Sequence, residues 1–349
     1  MKSHAAIIPS PSGRAVGASE ERPKSLRVRP TAPEGADEGL GDRAIFETLT
    51  PAGFAPLASL SPEGEGIHAT NPFPIPGSCQ LRGDYRLCAA DYSVQQDYRR
   101  YTEADQALWR RLYARQAQLI ERYAAPEFVA GVAALDMADA IPHFDRANLM
   151  LARATGWQLV AVPGLIPNEV FFEHLARRRF PVSVWLRRED EFDYLVEPDI
   201  FHDFFGHVPL LSNPVFADYL QHYGEQGRIA IGLDAVEPMS RLYWYMVEFG
   251  LINTPKGLRA FGAGILSSGG ETVYCIASPQ PHRIGFDVER VMRTAYRIDA
   301  YQQTYFVLDS FEQLFAQTRG DLRELLQRVR EQPAIPATQT RDGDRIIAP

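Results

Sequence analysis

Cysteine is scarce in this chain. Its 349 residues hold three (Cys79, Cys88 and Cys275) and no CxxC pair. A disulfide framework is therefore excluded, and a reduced, cytoplasmic setting is expected. No apolar run approaches the roughly 18 residues needed to cross a bilayer. Positive charge is in deficit, with 36 Lys and Arg against 44 Asp and Glu and a formal net charge of -8. A nucleic-acid scaffold needs a basic stripe to meet phosphates, so that class is disfavoured. The opening MKSHAAIIPSPSGR has too short an apolar stretch before its prolines to predict a signal peptide. A Gly-rich phosphate fingerprint between strand and helix is missing, as is any internal repeat.

What is present fits a globular chain with a sizeable core, at 45% hydrophobic, 11% aromatic and 23% charged residues. Eleven of the 26 prolines lie between positions 9 and 76, among Gly, Ser, Ala and charges of both signs. Such a segment cannot bury enough apolar surface to offset its chain entropy, so a disordered extension is expected over 1–70. A flexible polar tail is expected over 331–349, without heptads. Between them the periodicity is helical. Thr102 and Asp105 suggest a capping box ahead of Leu108, Trp109, Leu112, Tyr113, Leu119 and Ile120. Leu322, Leu325, Leu326 and Val329 keep helical spacing, and Asp309 or Ser310 suits a cap before Phe311, Leu314 and Phe315. Strand-like runs occur at 159–162, 182–186 and 271–276, too few for a βαβ array. The pattern predicts one mainly α domain with minor β structure (α+β), over 71–330.

The most informative stretch is EPDIFHDFFGHVPLL at 197–211. His202 and His207 lie five residues apart, which on an uninterrupted α-helix splays the two rings by roughly 140°. Gly206 offers a remedy, because a glycine there lets the helix end or tighten and the second ring swing back. Two histidines need a third ligand, and Asp203, Glu225 and Glu248 are candidates. Glu248 lies in the apolar run LYWYMVEFGL, where a carboxylate is costly to bury unless paired or metal-bound. Two imidazoles and a carboxylate form the facial triad of non-heme Fe(II) oxygenases. The ordinary alternative for such a histidine is a hydrogen-bonded core residue.

EPDIFHDFFGHVPLL, LYWYMVEFGL and FGAGILSSGGE together resemble the signature blocks of the pterin-dependent aromatic amino acid hydroxylases, especially the short bacterial phenylalanine-hydroxylating members. DYRLCAADYSVQQDY, YTEADQALWRRLYARQ and GWQLVAVPGLIP extend the likeness over about 77–329, in family order. The resemblance implies a single catalytic domain of that family's type. It implies a monooxygenase that converts L-phenylalanine to L-tyrosine with O2, a tetrahydropterin and Fe(II).

Residue by residue, it implies Fe(II) ligation by His202, His207 and Glu248, with Ser267 steadying the first histidine at the edge of the substrate site. Arg187 would pair with the amino acid carboxylate, steadied by Asp199. Taken alone, its Arg-Arg-Glu-Asp surroundings suggest a solvated surface charge. Pro198, Trp244 and Phe249 would line the ring pocket. The pterin would stack on Phe171, bond to the backbone of Gly164, Leu165 and Ile166, and face Asp203 through water. Tyr243 would lie close to the iron without binding it. Met246 and Leu195 depart from threonines common in the family, which loosens the inference about carboxylate contacts and substrate preference. The same chemistry on tryptophan or tyrosine, or at the meta position, is the nearest alternative. A zinc hydrolase is disfavoured by the five-residue spacing and by the lack of a glutamate beside His202; a sensor that keeps the fold without activity is a third reading. No nucleic-acid or membrane partner is expected, and a monomer is favoured over a dimer.

Overall fold

Residues 81–348, apart from Val196, are described by a computed structural model of the chain. The extension expected over 1–70 lies outside the described residues. The first long helix, α1 (Glu103–Tyr123), begins at the expected capping box: Asp105 N donates to Thr102 Oγ1 at 3.2 Å and Thr102 N to Asp105 Oδ2 at 2.7 Å. Leu108, Trp109, Leu112 and Ile120 recur on its inner face and are buried. The Trp109 indole N–H donates to Met137 O at 2.7 Å, so its burial strands no donor.

Helices α2 (Pro126–Leu135) and α3 (Phe144–Ala154) lead to β1 (Gln158–Val162). Helix α4 (Asn168–Ala176) then crosses over to β2 (Arg179–Ser183), which pairs parallel to β1 from Gln158↔Arg179 to Val162↔Ser183. One βαβ unit is thus present, although the strand expected at 182–186 starts earlier. The chain continues through α5 (Pro214–Gly232), α6 (Val236–Tyr243) and the hairpin β3 (Leu251–Thr254) and β4 (Gly257–Ala260). Short α7 (Ala263–Leu266), α8 (Gly269–Ala277), β5 (His282–Gly285), α9 (Val288–Arg293) and β6 (Thr304–Leu308) follow, closed by α10 (Phe311–Thr318) and α11 (Arg323–Arg330). The second sheet runs β4-β3-β6-β5, with β6 parallel to both β3 and β5. Ser310 is the residue that caps α10. No helix among the described residues is long and apolar enough to cross a membrane.

Two expectations need correction. The run 271–276, expected as β-like, is the helix α8. Ser268 caps it by accepting from Glu271 N at 3.3 Å, and packing within the core overrides the β preference of Thr272 and Val273. The segment after α11, expected to be a flexible tail, is held against the sheet. Ile335 is 2% exposed and exchanges backbone bonds with Arg293 and Ala295. Further on, Ile346 bridges Ile284 and Asp344 forms a buried ion pair with Arg290 at 3.0 Å. Backbone pairing along a strand edge needs only isolated apolar anchors, which leave no periodic trace in a sequence.

Candidate metal centre

Both histidines lie in one turn of π-helix, Phe201–His207, which continues from Ile200. A π-turn closes hydrogen bonds five residues apart, so side chains five apart come round to the same side. The histidine spacing that splays two rings on an α-helix therefore converges them here. Their Nε2 atoms are 3.2 Å apart, with ring planes at 76°. Gly206 lies inside the π-turn, so the helix widens between the two histidines, and the tightening expected at this glycine comes only after His207, in the 3-10 turn Val208–Ser212. A Cβ at Gly206 would come 3.0 Å from both Cβ and O of Ala263, so the glycine lets α7 lie against the turn. Helix α7 in turn delivers Ser267, whose Oγ lies 3.0 Å from His202 Nδ1. That bond leaves His202 Nε2 as the nitrogen facing inward.

Glu248 ends a second π-turn, Trp244–Glu248, which continues α6 and closes with Phe249 N on Trp244 O at 2.8 Å. Its carboxylate reaches both rings: Oε2 is 3.4 Å from His202 Nε2 and Oε1 is 3.2 Å from His207 Nε2. Burial works to raise the Glu248 carboxyl, but the two imidazoles hold it well below the usual carboxylate range. Ligands about 2.1 Å from one ion and at right angles to each other stand about 3.0 Å apart. The three side chains fit a shared divalent cation by both spacing and donor type.

The other candidate carboxylates are differently employed. Asp203 comes within 4.8 Å of the two histidines. Its Oδ2, however, accepts from Ser183 N at 2.7 Å and Ser183 Oγ at 2.6 Å. Burial raises the Asp203 carboxyl against the opposing pull of His202 and Ser183. Glu225 is exposed and paired with His222 at 3.4 Å.

Arg187 is not a solvated surface charge. It is 5% exposed and forks onto the fully buried Asp199, with Nε–Oδ2 and Nη2–Oδ1 both 2.9 Å. Burial alone would raise the Asp199 carboxyl, but Arg187 and the His202 and Arg187 amides hold it below its ordinary value. Asp199 thus ties the guanidinium to the backbone of the first histidine. Arg187 Nη1 has only a long bond to Phe192 O, at 3.4 Å.

Trp244 stacks on Tyr296, with centroids 4.4 Å apart and planes at 16°, and its ring lies 4.6 Å from that of Phe249, tilted by 37°. Phe171 meets Tyr243 edge-on at 5.4 Å, and Tyr243 stands 6.2 Å from the His207 ring. At the turn after β1, a Cβ on Gly164 would fall 2.7 Å from Glu197 Oε1 and 2.9 Å from Tyr85 Oη. Leu165 O accepts from that same hydroxyl at 2.8 Å, and Ile166 is buried. Pro198 O accepts from Ser183 Oγ at 3.1 Å, which brings the 197–203 turn against β2. Sequence reasoning missed Ser183, the hydrogen-bond partner of Asp203, and Phe180, whose ring lies 4.9 Å from His207. Both are on β2, where residues 180–183 are all buried, so the strand's sequence carries no alternation that could have singled them out.

With this geometry in hand, comparison with known proteins gives consistent results. The sequence pattern of the family described as biopterin-dependent aromatic amino acid hydroxylase matches residues 80–334. The chain is 58% identical over 265 residues to the phenylalanine-4-hydroxylase of Ralstonia nicotianae, covering 76% of this chain and 85% of that one. It is 56% identical over 238 residues to the phenylalanine-4-hydroxylase of Chromobacterium violaceum, covering 68% and 80%. A crystal structure of the C. violaceum enzyme with iron and phenylalanine bound superposes with a TM-score of 0.71 at 51% identity, covering 74% of this chain and 95% of that one.

Proposed function

The chain belongs to the biopterin-dependent aromatic amino acid hydroxylases, and from that premise we propose that it hydroxylates L-phenylalanine to L-tyrosine with O2 and a tetrahydropterin, at a mononuclear Fe(II) held by His202, His207 and Glu248. The observation that carries this reading is the meeting of two imidazole Nε2 atoms and one carboxylate within 3.4 Å, from segments about forty residues apart in the chain. Ferrous iron, when bound, supplies the activation of O2 that oxidation of an aromatic ring requires.

The protein's own work is positioning. Ser267 fixes the His202 ring through Nδ1. Arg187 meets the amino acid carboxylate with the edge that Asp199 leaves free, and Asp199 keeps that edge in register with the metal ligands. Pro198, Trp244 and Phe249 wall the substrate ring. Phe171 offers its face to the pterin, while the backbone of Gly164, Leu165 and Ile166 reads the pterin's polar edge. Asp203, anchored by Ser183, faces the same cofactor. Tyr243, in contact with both Phe171 and His207, lies close to the metal ligands without joining them and helps keep water out until both organic partners are bound. The protein works as a monomer in the cytoplasm, in keeping with the free thiols of Cys88 and Cys275. Its catalytic unit starts near residue 71 and includes the strap after α11.

Turnover of phenylalanine with iron, tetrahydropterin and O2 tests the reading, run beside tryptophan and tyrosine and with a chain lacking 1–70. Pterin-dependent O2 uptake with tyrosine as product supports it. Bound zinc without O2 uptake refutes it. His202→Ala and Glu248→Ala should lose iron and tyrosine formation together, and normal activity in either variant refutes the ligand assignment.

A further inference from the structure

Gln302 precedes β6 and is 3% exposed. Its side-chain Oε1 accepts from the Trp244 indole N–H at 3.0 Å. On the other side of the amide, Nε2 donates to Arg297 O at 2.9 Å and to Ala300 O at 3.3 Å. Two carbonyls facing Nε2 fix which way the amide points, because the flipped form would set oxygen against oxygen and nitrogen against the indole N–H. The backbone N–H of Gln302 is tied too, donating to Glu271 Oε1 at 3.0 Å, and that oxygen also accepts from Tyr305 Oη at 2.6 Å. Gln302 is therefore held at both ends.

Stacking and hydrogen bonding constrain Trp244 in different ways. Its contacts with Tyr296 and Phe249 set the tilt of the indole plane. Ring contacts of this kind carry little preference for where the indole N–H points within that plane. The directional bond from Nε1 to Gln302 sets that direction. Trp244 also opens the π-turn that ends in Glu248, so a displaced indole disturbs both the pocket wall and the approach to the ligand turn.

We propose that Gln302 is a specificity-determining positioning residue, which fixes the rotation of the Trp244 indole and thereby the shape of the pocket that receives the aromatic ring. The proposal rests on the reading of Trp244 as a wall of that pocket. Gln302→Met keeps the volume and removes the acceptor. In iron-loaded enzyme, Gln302→Met should raise the KM for phenylalanine about tenfold and lower the tyrosine formed per pterin oxidised, with the KM for pterin unchanged. Gln302→Met should add nothing in a Trp244→Phe background, where the N–H is gone. Should Gln302→Met not fold, Gln302→Asn withdraws the acceptor by one methylene and reads the same effect.

Unchanged KM and coupling in a folded Gln302→Met overturn the proposal. So do additive effects with Trp244→Phe, which would assign the role to the bonds with Arg297 O and Ala300 O. A wild-type chain without pterin-dependent product refutes the hydroxylase reading itself, an outcome distinct from an active wild type matched by Gln302→Met.

Discussion

Replacing Asp199 by Asn tests the link between the substrate-binding arginine and the metal ligands. Asp199 is fully buried and accepts four hydrogen bonds, from Arg187 N, Nε and Nη2 and from His202 N. Asparagine keeps the shape but turns one oxygen into an NH2 group that faces donors. The Arg187 charge, with its side chain 4% exposed, then has no counter-ion. Removing one partner of a buried ion pair costs about 3–5 kcal/mol. For a folded unit of this size, a change of that order lowers Tm by roughly 6–20 °C. Calorimetry or CD melting of the iron-loaded protein reads this, and the KM for phenylalanine should rise in parallel. The double variant Arg187→Met/Asp199→Asn removes the stranded charge and should regain most of the lost Tm without regaining substrate affinity. A Tm within about 2 °C of wild type for Asp199→Asn, or a double variant no more stable than the single, refutes the reasoning.

Two further outcomes follow from the same geometry. Ser267→Ala removes the bond to His202 Nδ1 and should weaken iron binding roughly 10–100-fold, read by titration against a competing chelator; unchanged affinity would leave the serine a turn residue only. Glu271, pushed up to about 7 by burial, holds a proton in the folded state that the unfolded chain releases near its ordinary value of 4.5. Its contribution is fully present below the unfolded value and is lost as pH rises through about 7. The wild type should therefore lose about 3 kcal/mol from this group between pH 4.5 and 8, and Glu271→Gln should flatten that part of the Tm–pH curve. Parallel curves for the two proteins would contradict the assignment.

Local signals in the sequence determined a good part of this protein. The capping box at Thr102 and Asp105, the inner face of α1, strand β1 and helix α11 all rest on hydrogen bonds or periodicities within a few residues, so the order of residues alone specifies them. Composition also made Glu248 conspicuous, because a carboxylate among Trp, Tyr, Met and Val needs a partner. Other features depend on residues far apart in the chain. The five-residue spacing of His202 and His207 reads as a misfit on an α-helix, and only packing against α7 at Gly206 reveals the π-turn that makes it productive. Arg187 lies in a run of charges that suggests solvent, yet Asp199 takes it into the core. The β-like stretch 271–276 became helix α8, and the apparent tail after α11 became a strap, because long-range burial and strand-edge pairing outweighed local preference. The fold class and the ligand types are written locally; the convergence that makes them a site is a tertiary fact, since it joins turns whose mutual approach no short stretch of sequence encodes.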